Sequence, residues 1–113
     1  MVRISLGDFS LSALLIDTPD SSGFLHEGRE VFAVFKETEV ILGKGDALIS
    51  MDNCFEGKVL SVEEGKLLGK VELTSGDHRI SAVLSTGALT RMKLKPGETL
   101  KIYVKSNEVM ISE

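Results

Sequence analysis

The chain has no tryptophan, one tyrosine, one cysteine, two histidines and two prolines in 113 residues. A single cysteine, Cys54, cannot form an internal disulfide, which fits a reducing cytosol. It reads as a small buried hydrophobe rather than a reactive thiol. His26 and His78 have no Cys, Asp or Glu around them at ligand spacing. Both read as surface or turn residues, and no site for a free metal cation is expected. No apolar run approaches the roughly 20 residues of a membrane-spanning helix. The opening MVRISLGDFS lacks the apolar core of a signal peptide. Basic residues are also scarce, 13 Lys and Arg against 17 Asp and Glu, for a net charge of −4. A nucleic-acid backbone or an anionic membrane needs a basic face, so neither is expected as the main partner. Phe9, Phe32 and Phe35 have few basic neighbours and read as barrel core rather than base-stacking platforms.

Catalytic signatures are missing as well. No Ser/His/Asp or Cys/His nucleophile set is present, and Asp17, Asp20 and Glu27 fall in turn segments where carboxylates are normally solvated. Gly-x-Gly occurs once, as Gly43-Lys44-Gly45 between strand patterns with no helix after it, which does not make a phosphate loop. An enzyme is not expected.

The chain does contain an internal repeat. Residues 1–44 align without gaps on residues 70–113 at one offset (Ser12 onto Ser81, 81 − 12 = 69). Gly7-Asp8 falls on Gly76-Asp77, Ser12-Ala13 on Ser81-Ala82, Lys36 on Lys105 and Glu39-Val40 on Glu108-Val109. Self-similarity at a fixed period means one supersecondary unit used twice. The second copy is preceded by a further strand pattern, Gly57 to Val62, whereas the first begins at Met1 with nothing in front of it. This divides the chain into a partial repeat, 1–44, and a complete repeat, 45–113.

Strand signals dominate both copies. Val2 to Leu6, the Gly7-Asp8 turn and Phe9 to Ile16 form a hairpin pattern, repeated by Val71 to Thr74, Ser75-Gly76-Asp77 and Ile80 to Leu84. A polar stretch follows in each copy, Asp17 to Ser22 and Thr86 to Arg91, long enough for one helical turn. Val31 to Phe35 and Leu100 to Val104 are the next strands. Val40-Ile41-Leu42 and Val109-Met110-Ile111 are short closing strands. Many short strands, glycine turns and one helical turn inserted midway predict an all-β chain of small OB-like barrels in tandem. The first barrel lacks its opening strand, and an open edge is a pairing hazard. Residues 43–52, a segment outside this sequence or another chain would cover it, so a homo-oligomer, a dimer or larger, is expected.

The second copy resembles the molybdate/tungstate-binding Mop family, also called the TOBE domain. The resemblance rests on Ser50-Met51-Asp52-Asn53 followed by Gly57-Lys58-Val59, against the family's Ser-Ala-Arg-Asn-x-x-x-Gly-x-Val opening. It rests equally on Lys105-Ser106-Asn107-Glu108-Val109-Met110-Ile111, close to the family's Lys-Ser/Ala-x-x-Val-Met-Ile ending. Ser81 to Ser85 and Leu94 to Gly97 lie between them at family-like spacing. The resemblance covers residues 49–113 directly and residues 1–42 through the repeat.

It implies a cytoplasmic oxyanion-binding module: a sensor, a store, or the effector part of a regulator or transporter ATPase. No resident cofactor is implied; molybdate or tungstate is the ligand. The alternative is an interaction module of the same fold that no longer holds oxyanion. A dianion with four acceptor oxygens needs hydrogen-bond donors around it and few carboxylates. Carried over by position, the donors are Ser50, Ser85, Lys105 and Ser106, with Lys36 kept in the first copy and Asn53 fixing the turn. Two departures stand out. Asp52 sits where the family has Arg, a carboxylate that would repel an anion at close range. Glu37 replaces the first copy's Ser.

Overall fold

A computed structural model of the chain describes residues 2–6, 9–13 and 32–112, with side chains from 33 to 111. Its strands are β1 (Val2–Leu6), β2 (Phe9–Ala13), β3 (Phe32–Val34), β4 (Ile41–Gly43), β5 (Asn53–Glu64), β6 (Leu68–Ser75), β7 (His78–Ser85), β8 (Thr99–Val104) and β9 (Met110–Ser112). Among the described residues one helix, α1 (Thr86–Met92), lies between β7 and β8, and two 3-10 turns occupy Glu37–Glu39 and Ser106–Glu108. The main sheet has five antiparallel strands in the order β4-β8-β5-β6-β7; β1 pairs with β2, and β3 with β9.

The expected extra strand is longer than its pattern at 57–62 indicated, because the in-out alternation extends beyond it. Asn53, Phe55, Gly57 and Val59 point inward and Cys54, Glu56, Lys58 and Leu60 outward. Cys54 is therefore exposed, not buried as expected. The phase of the alternation is set by Phe55 and Val59, which enter the core, and Cys54 falls on the other phase.

β5 serves two partners in succession. Asn53–Lys58 pair with β8 and Lys58–Glu64 with β6, with a register shift between Val59 and Ser61. Such a bulge bends a strand and lets one sheet curl towards a barrel. The concave face buries Val59, Val71, Leu73, Leu100, Ile102 and Val104. Leu89 of α1 joins this core, as do Val40, Leu42 and Val109. The polar stretch from Thr86 forms the expected helical turn: the Ser85 hydroxyl caps α1 by accepting from the Ala88 N–H at 3.1 Å. Lys93, left-handed at φ 51°, ends it. The corresponding stretch Asp17 to Ser22, and the Gly7-Asp8 and Glu27-Gly28 turns, lie outside the described residues.

The repeat is visible as identical pairing. Val2↔Ala13 through Leu6↔Phe9 maps at an offset of 69 onto Val71↔Ala82 through Ser75↔His78. The closing strands are exchanged between copies. β4, from the first copy, pairs with β8 of the second (Ile41↔Tyr103, Leu42↔Ile102, Gly43↔Lys101). β9, from the second, pairs with β3 of the first (Val34↔Met110, Ala33↔Ile111, Phe32↔Ser112). The two pairings share one register at the same offset. Residues 44–52 form no strand.

Gly57 occupies the point where β5 passes from β8 to β6. A Cβ there would fall onto the Ile102 side chain and lie 3.3 Å from the Thr74 carbonyl oxygen. Gly57→Val is expected to cost about 2 kcal/mol or more, the scale of core overpacking and a displaced strand pair, read as a lower urea midpoint at unchanged slope.

Candidate functional site

The exchange of closing strands sets the position of each Lys-x turn. The turn Ser106–Glu108 follows β8 and precedes β9, which leaves for the other copy; it packs beside β2 of that copy. The equivalent turn Glu37–Glu39 packs beside β7 of the second copy. Both turns therefore lie at the junction of the repeats, each in contact with the hairpin of the copy it does not belong to.

At the second-copy turn, Ser106 is buried and its hydroxyl donates to Asp52 Oδ2 at 2.5 Å. Lys105 precedes it with an exposed side chain. The β5–β8 register puts Asn53 opposite Val104, so Asp52 and Asn53 stand across from the Lys105-Ser106 step. Asn53 is buried. Ser50 is exposed two residues before Asp52. The chain thus brings Ser50, Asn53, Lys105 and Ser106 to one end of β5. Ser85 is not among them. It pairs with Leu68, beside the Glu64 end of β5, and its hydroxyl oxygen caps α1.

Lys36 is exposed, and its carbonyl accepts from the Glu39 N–H at 2.9 Å to close the first-copy turn. Glu37, at the position equivalent to Ser106, pairs with Lys70 of β6 at 3.4 Å. Glu72 reaches the same Lys70 at 3.5 Å and accepts from the Ser81 hydroxyl at 2.9 Å. Glu37, then Glu72, hold the Lys70 ammonium above its ordinary range. A shallow open groove beside this turn is lined by Phe35, Glu37, Arg79 and Ser81. The Lys70 bridge and the Asp52–Ser106 bond escaped sequence reasoning. Asp52 is noticeable as a departure, but its partner is 54 residues away in the chain.

The approach segment 44–52 is tied to β8 and to the turn before it. Lys44 pairs with Glu98 at 2.9 Å, and Lys101 reaches Asp46 at 3.8 Å and Glu56 at 3.0 Å. The hydrogen bond from Lys44, aided by the Lys95 N–H, holds Glu98 below the ordinary carboxylate value. The Glu56 hydrogen bond raises Lys101. Among the described residues no group of His, Cys, Asp and Glu is arranged to hold a metal ion. Among the same residues, no helix is long and apolar enough to cross a membrane.

One curled OB-like sheet, a second hairpin in the same register, exchanged closing strands and a Lys-bearing turn at each junction define a small-barrel protein with an internal repeat. The TOBE domain model matches residues 49–111, more than half of the chain, and the chain belongs to the TOBE domain family. Molybdenum-pterin-binding protein 2 of Clostridium pasteurianum is 33% identical over 64 residues, covering 56% of this chain and 94% of that protein. Molybdenum-pterin-binding protein 1 of the same organism is 31% identical over the same shares. Among solved structures, the cytoplasmic molybdate-binding protein ModG, with molybdate bound, superposes with a TM-score of 0.83 at 27% identity. That match covers 91% of this chain and 75% of ModG. A molybdate-binding protein from Sporomusa ovata shares the fold at TM-score 0.57 and 21% identity, over 59% of this chain and all of its own.

Because Glu98 titrates below its unfolded value, its contribution to stability is present above the unfolded pKa and lost as pH falls through the folded one. Lys44→Ala is expected to raise the Glu98 midpoint towards the ordinary carboxylate value, followed by carboxyl-carbon NMR titration, with acid unfolding beginning at slightly higher pH.

Proposed function

We propose that this chain is a cytoplasmic oxyanion-binding module for molybdate or tungstate, built from a partial repeat (1–44) and a complete repeat (45–113). The observation that carries the reading is the match to molybdate-loaded ModG over nearly the whole chain, both repeats included. The Clostridium pasteurianum relatives, matched over most of their length, support it. The site lies at the junction turns, where an ammonium and a hydroxyl are adjacent: Lys105 and Ser106 in the second copy, with Ser50 and Asn53 beside them and Lys36 in the first. Ser85 is too far along β5 to join them within one chain; it would belong to a site completed by a second copy. Homo-oligomerisation to a dimer or larger is part of the same reading. Exposed Val34 and Met110, paired across β3 and β9, and exposed Ile41 at the free edge of β4 support it. Binding needs no bond to be made or broken, and the chain acts by holding the anion rather than transforming it.

Calorimetry with molybdate, tungstate and sulfate tests this directly. Molybdate or tungstate is expected to bind in preference to sulfate. Lys105→Ala is expected to weaken binding roughly tenfold to a hundredfold, the scale of one charge-assisted hydrogen bond, with the circular-dichroism spectrum unchanged because Lys105 is exposed. Affinity unchanged by that substitution moves the site elsewhere. Light scattering is expected to show a dimer or larger at micromolar concentration; a stable monomer contradicts the assembly.

A further inference from the structure

The Ser106 hydroxyl is the second-copy donor best placed by the strand exchange, and it is already in use. Its one proton goes to Asp52 Oδ2 at 2.5 Å, and a hydroxyl has no second proton to offer. Ser106 is only 3% exposed, whereas Asp52 is exposed, so the carboxylate covers the hydroxyl from the solvent side. Lys105, next to it, has no ion-pair partner among the described residues. The first copy has a comparable arrangement by other means: Glu37 stands at the position equivalent to Ser106 and is held by Lys70 at 3.4 Å. Beside each junction turn a carboxylate of the chain thus engages a hydroxyl or ammonium donor, Asp52 with Ser106 and Glu37 with Lys70.

We propose that Asp52 is an intramolecular competitor for oxyanion: it occupies the Ser106 donor, and binding at this turn requires the carboxylate to leave. Resting on the oxyanion-binding reading, this makes Asp52 the residue that sets affinity and loading threshold at the second-copy turn. The binding-competent form is the one in which Asp52 has swung away and Ser106 is free. The observed dissociation constant is then the intrinsic one divided by the fraction of molecules in that form. Asp52 can swing out at little cost because it is exposed and precedes β5, outside the strand ladder. Ser106 cannot move to meet a ligand elsewhere, since its turn is fixed by the Glu108 and Val109 N–H bonds to the Lys105 and Ser106 carbonyls, at 2.9 and 3.4 Å. The carboxylate is therefore the movable partner.

The test is a double-substitution cycle read by calorimetry with molybdate and tungstate on the full chain, with fold checked by circular dichroism. Asp52→Ala is expected to tighten binding about tenfold or more, as one charged hydrogen bond to the donor is removed from competition. Asp52→Glu, which keeps a carboxylate within reach, is expected to stay within about twofold of the wild type on the same argument. Ser106→Ala made in the Asp52→Ala background is expected to abolish most of the gain. If Asp52→Ala binds as the wild type does, the proposal fails and the oxyanion reading stands. If its gain survives undiminished without Ser106, Asp52 acts by charge alone and competition for the hydroxyl is refuted. Absence of molybdate and tungstate binding in every variant, with the fold intact, removes the oxyanion reading and the proposal together.

Discussion

The pairing of β4 with β8, and of β9 with β3, is the constraint on which the rest of the structure depends. A small curled sheet with a short last strand leaves an edge of unpaired backbone groups, and each copy closes that edge on the other. The exchange supplies the first-copy strand Ile41–Gly43 as the fifth strand of the main sheet and brings Val40 and Leu42 into a buried core whose other members come from the second copy. Ile102, Tyr103 and Val104 are buried in succession, and the Tyr103 ring lies against Gly43 of β4. The Lys-x turns inherit their place from the exchange. Each is the short link between two strands, at least one of which pairs with the other copy, so it lies at the junction.

The electrostatics of that junction are unusual for an anion-binding reading in an acidic chain. Hydroxyls there are given to carboxylates: Ser106 to Asp52 and Ser81 to Glu72. Among the described residues no buried side-chain nitrogen or oxygen lacks a hydrogen-bond partner. The ion pairs around Lys44, Lys70 and Lys101 are partly exposed to solvent and individually weak. Their effect is on position more than on stability. They attach the approach segment 44–52 to β8 and the first-copy turn to β6, and so determine which charges stand beside the donors.

Much of the fold was legible in the sequence because it rests on local patterns. Alternation gave the strands within a few residues, the gapless repeat fixed which strands are equivalent, and the polar stretch after Ser85 marked α1. One expectation failed for a physical reason. Residue type alone assigns Cys54 to the core, but the phase of the strand, set by the packing of Phe55 and Val59, turns it outward.

The sequence by itself determined that there are two copies, what each contains and which residue types stand at the turns. It carried the opening and ending motifs of the TOBE family at their proper spacing. Only the tertiary structure decided which copy each closing strand joins. Val40-Ile41-Leu42 and Val109-Met110-Ile111 are interchangeable as apolar strand patterns, so local preference is satisfied by either pairing and chain geometry makes the choice. The same holds at the proposed site. Ser50, Asn53, Lys105 and Ser106 could be named in advance, but the meeting of Ser106 with Asp52, and the separation of Ser85 from both, follow from how β5 bends between its two partners. A hydrogen bond between residues 54 apart in the chain depends on that bend, and local sequence does not encode it.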